Sequence, residues 1–322
     1  MACMGPASPG GPSSSTGAKL KRFPLAVLAA CAVVTATAPA ASAASIPSAI
    51  GPLHVVAMGD SYASGTGAGD YQAGTEGNCW RSNNSYSEQI VARVRARGQS
   101  VQFTNVTCSG AATSDLYKDF LGQPDQLNAL QVDTNVVLLT IGTNDIGYAA
   151  YGGLCIQGDC SGAPTQAIAA KLPDMAKNVA QLFKDIHARS PHAKIVLSAY
   201  GSQLSAGPNA DGAKLDPICD AGVFSADERS QGNALASQLD KTLRDTTSRA
   251  RWYGVDTVFV SEYTADSVHL NSTFAGHSLC DAGTPFYRGF DALAPGQEGP
   301  DAVLHLNKDG QSALADLITS QV

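Results

Sequence analysis

The chain has 322 residues, with 28 acidic against 21 basic side chains and a formal net charge of −7. That acidic balance, with no Lys/Arg cluster beyond the N-terminal segment, argues against a nucleic-acid backbone as partner, because neutralising phosphates needs grouped cations. The longest apolar stretch, near the N-terminus, falls short of the about 20 residues a membrane helix requires, and the length allows one large domain.

The first segment reads as an address. Lys19, Lys21 and Arg22 precede an apolar stretch from Leu25 to about Ala38, which Ala41-Ser42-Ala43 closes. A basic start, an apolar middle and small residues at the cut predict a secretory signal over residues 1–43. Leu28-Ala29-Ala30-Cys31 offers a rival, a lipoprotein site with Cys31 acylated, although Pro24 leaves little apolar run ahead of it. Cleavage after Ala43 leaves residues 44–322 as one domain, more acidic still, with cysteines at Cys79, Cys108, Cys155, Cys160, Cys219 and Cys280. An even number in an exported chain reads as disulfides, with connectivity not fixed by the count; sequential pairing is the working expectation. Zinc is disfavoured, since no Cys-x-x-Cys pair and no histidine at ligand spacing accompanies them.

Beyond the leader, β-rich apolar runs alternate with helical patterns. Strands are expected at His54–Met58, Val101–Val106, Val136–Ile141, Lys194–Ala199 and Asp256–Ser261, mostly continuous apolar runs as in parallel strands buried on both faces. Helices are expected at Tyr86–Arg97, Ala163–Arg189, Ser225–Arg251 and Gly310–Ser320. Strand–helix alternation implies βαβ units in a three-layer α/β/α sandwich around a central parallel sheet. Gly201–Gly222 and Tyr263–Pro300 read as long loops, and each holds one cysteine of the expected Cys219–Cys280 pair.

Four short stretches carry the chemistry. Gly59-Asp60-Ser61-Tyr62-Ala63-Ser64-Gly65 follows the first strand, Cys108-Ser109-Gly110-Ala111 the second, and Gly142-Thr143-Asn144-Asp145 the third. The fourth, His305-Leu306-Asn307-Lys308-Asp309-Gly310, opens the last helix. In open α/β sheets ligands bind beyond the carboxyl ends of the strands, where the first three stretches should meet. Ser61 could be a nucleophile or merely a helix cap. Gly110 admits a close approach of backbone, and Asn144 offers an amide donor, as an oxyanion requires. His305 can take a serine proton and return it to a leaving group. Tyr62, Trp80, Tyr148 and Tyr151 fit a pocket or the core, and His269 and His277 are weaker candidates for the base.

With those residues in order, the sequence resembles secreted lipases and esterases of the SGNH-hydrolase (GDSL) family, from Gly59 to the C-terminus. The resemblance implies a flavodoxin-like sheet of about five strands, Ser61 as nucleophile, and an oxyanion hole from the Ser61 and Gly110 N–H groups with the Asn144 side chain. It implies three sequential disulfides, no metal and no diffusible cofactor. One position departs from the pattern: the aspartate usual three residues before the histidine is Ala302 here, and Asp301 lies one further back. The group orienting His305 is therefore Asp301, a main-chain carbonyl near Ala302 or Val303, or another acid such as Asp291. The implied function is secreted hydrolysis of acyl-lipid or short-chain esters by a monomer. Alternatives are a carbohydrate acetyl esterase, a phospholipase, or a secreted binding module that lost catalysis.

Overall fold

A computed structural model describes residues 51–212 and 214–320. The expected signal 1–43, its cleavage point and Cys31 lie outside the described residues. Five strands form the sheet: β1 (Leu53–Gly59), β2 (Val101–Asn105), β3 (Val136–Thr140), β4 (Lys194–Ser198) and β5 (Thr257–Val260). All pair in parallel, in the order β2-β1-β3-β4-β5. The apolar runs dictate this: Val55–Met58, Val137–Leu139 and Ile195–Leu197 are all buried, as strands covered on both faces must be.

Among the described residues eight α-helices connect and cover the strands: α1 (Ser61–Ser64), α2 (Tyr86–Ala96), α3 (Thr143–Ile146), α4 (Tyr148–Gln157), α5 (Ala163–Ala169), α6 (Leu172–Arg189), α7 (Ala226–Trp252) and α8 (Lys308–Thr319). The order reverses direction at β1, with β2 on one side and β3 on the other. Right-handed crossovers then put α2 on the opposite face from α6 and α7. Contacts agree, for α2 packs on α8 and α6 on α7. In α6 the buried positions Leu172, Met175, Val179, Leu182, Phe183 and Ile186 recur at helical spacing and form one core-facing stripe. Ser225 and Glu228 cap α7 reciprocally, which fixes where that helix starts.

The helix expected over Ala163–Arg189 is two helices. Pro173 lacks the N–H that a continuous helix would need and its ring opposes the carbonyl one turn back, so the chain restarts at Leu172. Helix α4 was not expected. Its Gly152-Gly153 pair is unfavourable in a helix interior and hides the pattern. Helix α8 begins two residues before the expected Gly310, because Asn307 accepts from Gly310 N at 2.9 Å as its cap. Disulfides join Cys79 to Cys108, Cys155 to Cys160 and Cys219 to Cys280, the sequential pairing expected. The third fastens the two long loops to each other.

Candidate active site

The switch in strand order between β1 and β3 opens a crevice at their carboxyl ends, and register sets its floor. Gly59 pairs with Thr140, so the residues just beyond, Asp60 and Ile141, leave the sheet side by side. Gly59 adopts φ 122°, and a Cβ there would fall 2.0 Å from Thr140 O, so no other residue fits. The buried Gln126 clamps the same glycine, accepting from its N–H at 2.7 Å and donating to its carbonyl at 3.0 Å.

Asp60 caps α1 by accepting from Tyr62 N at 3.0 Å. Its other oxygen accepts from the Tyr200 hydroxyl and, at 3.4 Å, from Thr143 Oγ1, which ties the ends of β1, β3 and β4 together. Burial pushes the Asp60 carboxyl up to about 7, against the lowering effect of these donors. Ser61 is thereby fixed as the first residue of α1. Asp145 reaches across to accept from Thr113 N at 2.9 Å.

His305 arrives from the far end of the chain on a short antiparallel pairing of Tyr287 with Leu306. Arg288 N donates to His305 O and Leu304 N to Arg288 O, each at 2.8 Å. Gly67, in the loop after α1, touches the histidine: a Cβ there would stand 3.2 Å from that of His305. Within the Gly65–Gly69 stretch, Gly67 is thus the point against which the histidine rests.

His305 Nε2 lies 2.7 Å from Ser61 Oγ, and Nδ1 lies 3.2 Å from Val303 O. A carbonyl only accepts, so Nδ1 carries the proton and Nε2 is left to accept from the serine hydroxyl. Burial lowers the imidazole from 6.5 to about 4, opposed by the Val303 carbonyl and by the charge of Asp301. Asp301 makes no hydrogen bond to the ring. It sits in the single turn Gly299–Ala302 and accepts from Trp80 Nε1 at 3.2 Å instead. Asp291 is held by Arg288 at 2.6 Å. His269 bonds Asp266, and His277 bonds Thr284 O while stacking on Phe286, so neither pairs with Ser61.

The Asn144 side chain donates to Ala111 O at 2.9 Å, which joins the third strand's turn to the second's and leaves its other amide hydrogen uncommitted. The Cys79–Cys108 bridge anchors that second turn, two residues before Gly110. Neither Ser61 N–H nor Gly110 N–H bonds another described residue. Ser61, Gly110, Asn144 and His305 all line one cleft of about 480 Å³. One wall is the face of α4 that shows Tyr148, Ala149, Gly152, Gly153 and Ile156; Phe290, Leu293 and Leu304 form another. Sequence reasoning missed α4 as a wall, and it missed Gln203, which also lines the cleft and bonds Tyr62. Tyr151 is turned away towards Thr165.

The profile of the GDSL-like Lipase/Acylhydrolase family matches residues 57–313. A lipase of Streptomyces rimosus is 32% identical over 234 residues, which is 72% of this chain and 74% of that protein. Lipase 1 of Streptomyces coelicolor is 29% identical over 274 residues, covering 84% and 87%. Among solved structures, the extracellular lipase of Streptomyces rimosus matches with a TM-score of 0.64 at 28% identity. Phospholipase A1 of Streptomyces albidoflavus NA297 matches with 0.66 at 25%. Each match spans 84% of this chain and 100% of the other.

Proposed function

We propose that this chain, which belongs to the GDSL-like lipase/acylhydrolase family and is a carboxylic ester hydrolase, works through an acyl-enzyme on Ser61. The observation that carries the reading is the 2.7 Å approach of His305 Nε2 to Ser61 Oγ, with the opposite ring nitrogen on a carbonyl. Ser61 Oγ attacks the ester carbon while Nε2 accepts its proton. The carbonyl oxygen becomes negative and faces the Ser61 and Gly110 N–H groups and the free Asn144 amide hydrogen. As the intermediate collapses, the imidazolium returns the proton to the departing alkoxide. Water, deprotonated by the same imidazole, then releases the acid and regenerates the serine. The orienting group is Val303 O, so the machinery is a Ser–His pair held by main chain.

The apolar walls of the cleft favour an acyl chain over a glycan, and similarity to proteins named lipase and phospholipase A1 supports an acyl-lipid substrate. Three disulfides and the N-terminal leader pattern support secretion through cleavage after Ala43. One chain supplies every proposed group, so a monomer suffices. The test is covalent: a fluorophosphonate should label Ser61 alone, and Ser61→Ala should remove both labelling and nearly all turnover of nitrophenyl esters. Undiminished turnover by Ser61→Ala ends the proposal.

A further inference from the structure

The hydroxyl of Tyr62 has no part in that chemistry, yet it occupies the junction between nucleophile and base. Tyr62 follows Ser61 directly, is buried, and packs edge-on against Tyr200 with ring centres 4.9 Å apart; the His305 ring is 5.1 Å away. Its hydroxyl donates to Leu304 O at 2.7 Å and accepts from Gln203 Nε2 at 2.9 Å. Gln203 is held in turn, donating to Tyr200 O at 3.0 Å and accepting from Tyr148 Oη at 3.4 Å. Burial keeps the Tyr62 hydroxyl protonated far above neutrality, so it stays a donor.

Leu304 is the residue that needs this donor. It stands immediately before His305 at φ 65°, a left-handed conformation that is unfavourable for a leucine because its Cβ crowds the backbone carbonyl. Such backbone persists where its surroundings over-determine it. Here the surroundings are two bonds. Leu304 N donates to Arg288 O, and Leu304 O takes the Tyr62 hydroxyl. The first fixes the turn to its own hairpin partner. The second, spanning 242 positions of sequence, is the one that ties it to the nucleophile's helix.

We propose that the Gln203–Tyr62–Leu304 chain of hydrogen bonds sets the distance and direction of the His305 imidazole relative to Ser61, making Tyr62 and Gln203 positioning residues. The proposal rests on the acyl-enzyme reading. If the hydroxyl only satisfied a buried carbonyl, its loss would lower stability and leave the chemical step alone. If it aims the imidazole, its loss lowers the rate of every step that uses Nε2 while binding in the apolar cleft is kept.

The experiment compares Tyr62→Phe, Gln203→Met and the double variant with wild type and with Ser61→Ala. It measures kcat and KM on a soluble nitrophenyl ester and the rate of fluorophosphonate labelling, with near-ultraviolet circular dichroism to confirm native packing. Tyr62→Phe is expected to lose about 10- to 100-fold in both kcat and labelling rate, with KM within about threefold of wild type. Gln203→Met is expected to lose about 3- to 10-fold, and the double variant no more than Tyr62→Phe, because both act through one hydroxyl. Losses that multiply in the double variant overturn the proposal, as does wild-type labelling by a natively packed Tyr62→Phe. Should Tyr62→Phe fail to fold, Gln203→Met decides, and an unchanged kcat there is fatal. Labelling that survives in Ser61→Ala would instead defeat the reading of an acyl-enzyme on Ser61, a distinct failure.

Discussion

Nδ1 of His305 faces a main-chain carbonyl and Nε2 a hydroxyl, so the proposed base is held neutral and in one tautomer without a carboxylate. Its pKa is lowered to about 4, chiefly by burial, and a general base works only when deprotonated. The acid limb of kcat/KM on a soluble ester is therefore expected near pH 4, with activity nearly full at pH 6. A half-loss close to 6.5, the ordinary histidine value, would mean the imidazole is not buried as described. The charge of Asp301 pushes the imidazole upward, so Asp301→Asn should move that limb lower and leave turnover at pH 7 within about twofold. A loss of about 10⁴, such as follows removal of a triad aspartate, would restore the carboxylate as the orienting group. Asn144→Ala, by contrast, removes a proposed oxyanion donor and should cost about 10² to 10³ in kcat with the fold intact; stopped assays beside a thermal melt separate the two effects. Ser61, Gly110, Asn144 and His305 could all be located from sequence because each is a distinctive letter at the end of a strand or the start of a helix. The orienting carbonyl was legible only as one near Ala302 or Val303, beside the acids Asp301 and Asp291, since a carbonyl belongs to every residue and only the turn reveals that Val303 O meets the ring.

At the level of elements, α4 is the part of the site that sequence concealed. Residues Tyr148, Ala149, Gly152, Gly153 and Ile156 face the cleft at helical spacing, but the two glycines depress helix propensity and the helix is only 10 residues long. The strands were legible for the opposite reason: runs such as Val137–Leu139 are apolar throughout because both faces of the sheet are covered. A Cβ at Gly153 would meet nothing within 4 Å, so space is open where the helix faces the cleft. Gly153→Ala should then stabilise the protein by about 0.5–1 kcal/mol, read as a higher denaturation midpoint, with acetyl-ester turnover kept. Gly153→Leu reaches further into the cleft. It should depress kcat/KM for decanoyl and longer esters several-fold more than for acetyl esters, as a chain-length panel would measure. Equal losses across the panel would show that the acyl chain does not pass along α4.

Across the whole molecule, the sheet's carboxyl edge buries ionisable groups whose protons couple stability to pH. Glu262, just beyond β5, is fully buried, and neither carboxylate oxygen has a hydrogen-bond partner among the described residues. It packs with Tyr287 against the end of β4, where a Cβ at Gly201 would fall 2.2 Å from the Tyr287 hydroxyl and 3.2 Å from Glu262 Cγ. Burial raises Glu262 from 4.5 to about 8 and Asp60 from 3.8 to about 7. Between the lower and upper values the native state keeps both protons while the unfolded chain releases them, so stability falls as pH rises from about 4 to about 8. His305 acts in the reverse direction: its native form is neutral, the unfolded chain takes up a proton below 6.5, and stability falls as pH drops from there towards 4. Two carboxyls against one imidazole leave a net decline with rising pH across the range, steepest between about 6.5 and 7. Each pKa unit is worth about 1.4 kcal/mol, so the melting temperature should be several degrees lower at pH 8 than at pH 5. Glu262→Gln keeps the shape of the side chain and removes its proton equilibrium. Its melting temperature should decline less steeply over that interval, and curves that run parallel to wild type would show that Glu262 is already ionised in the native protein.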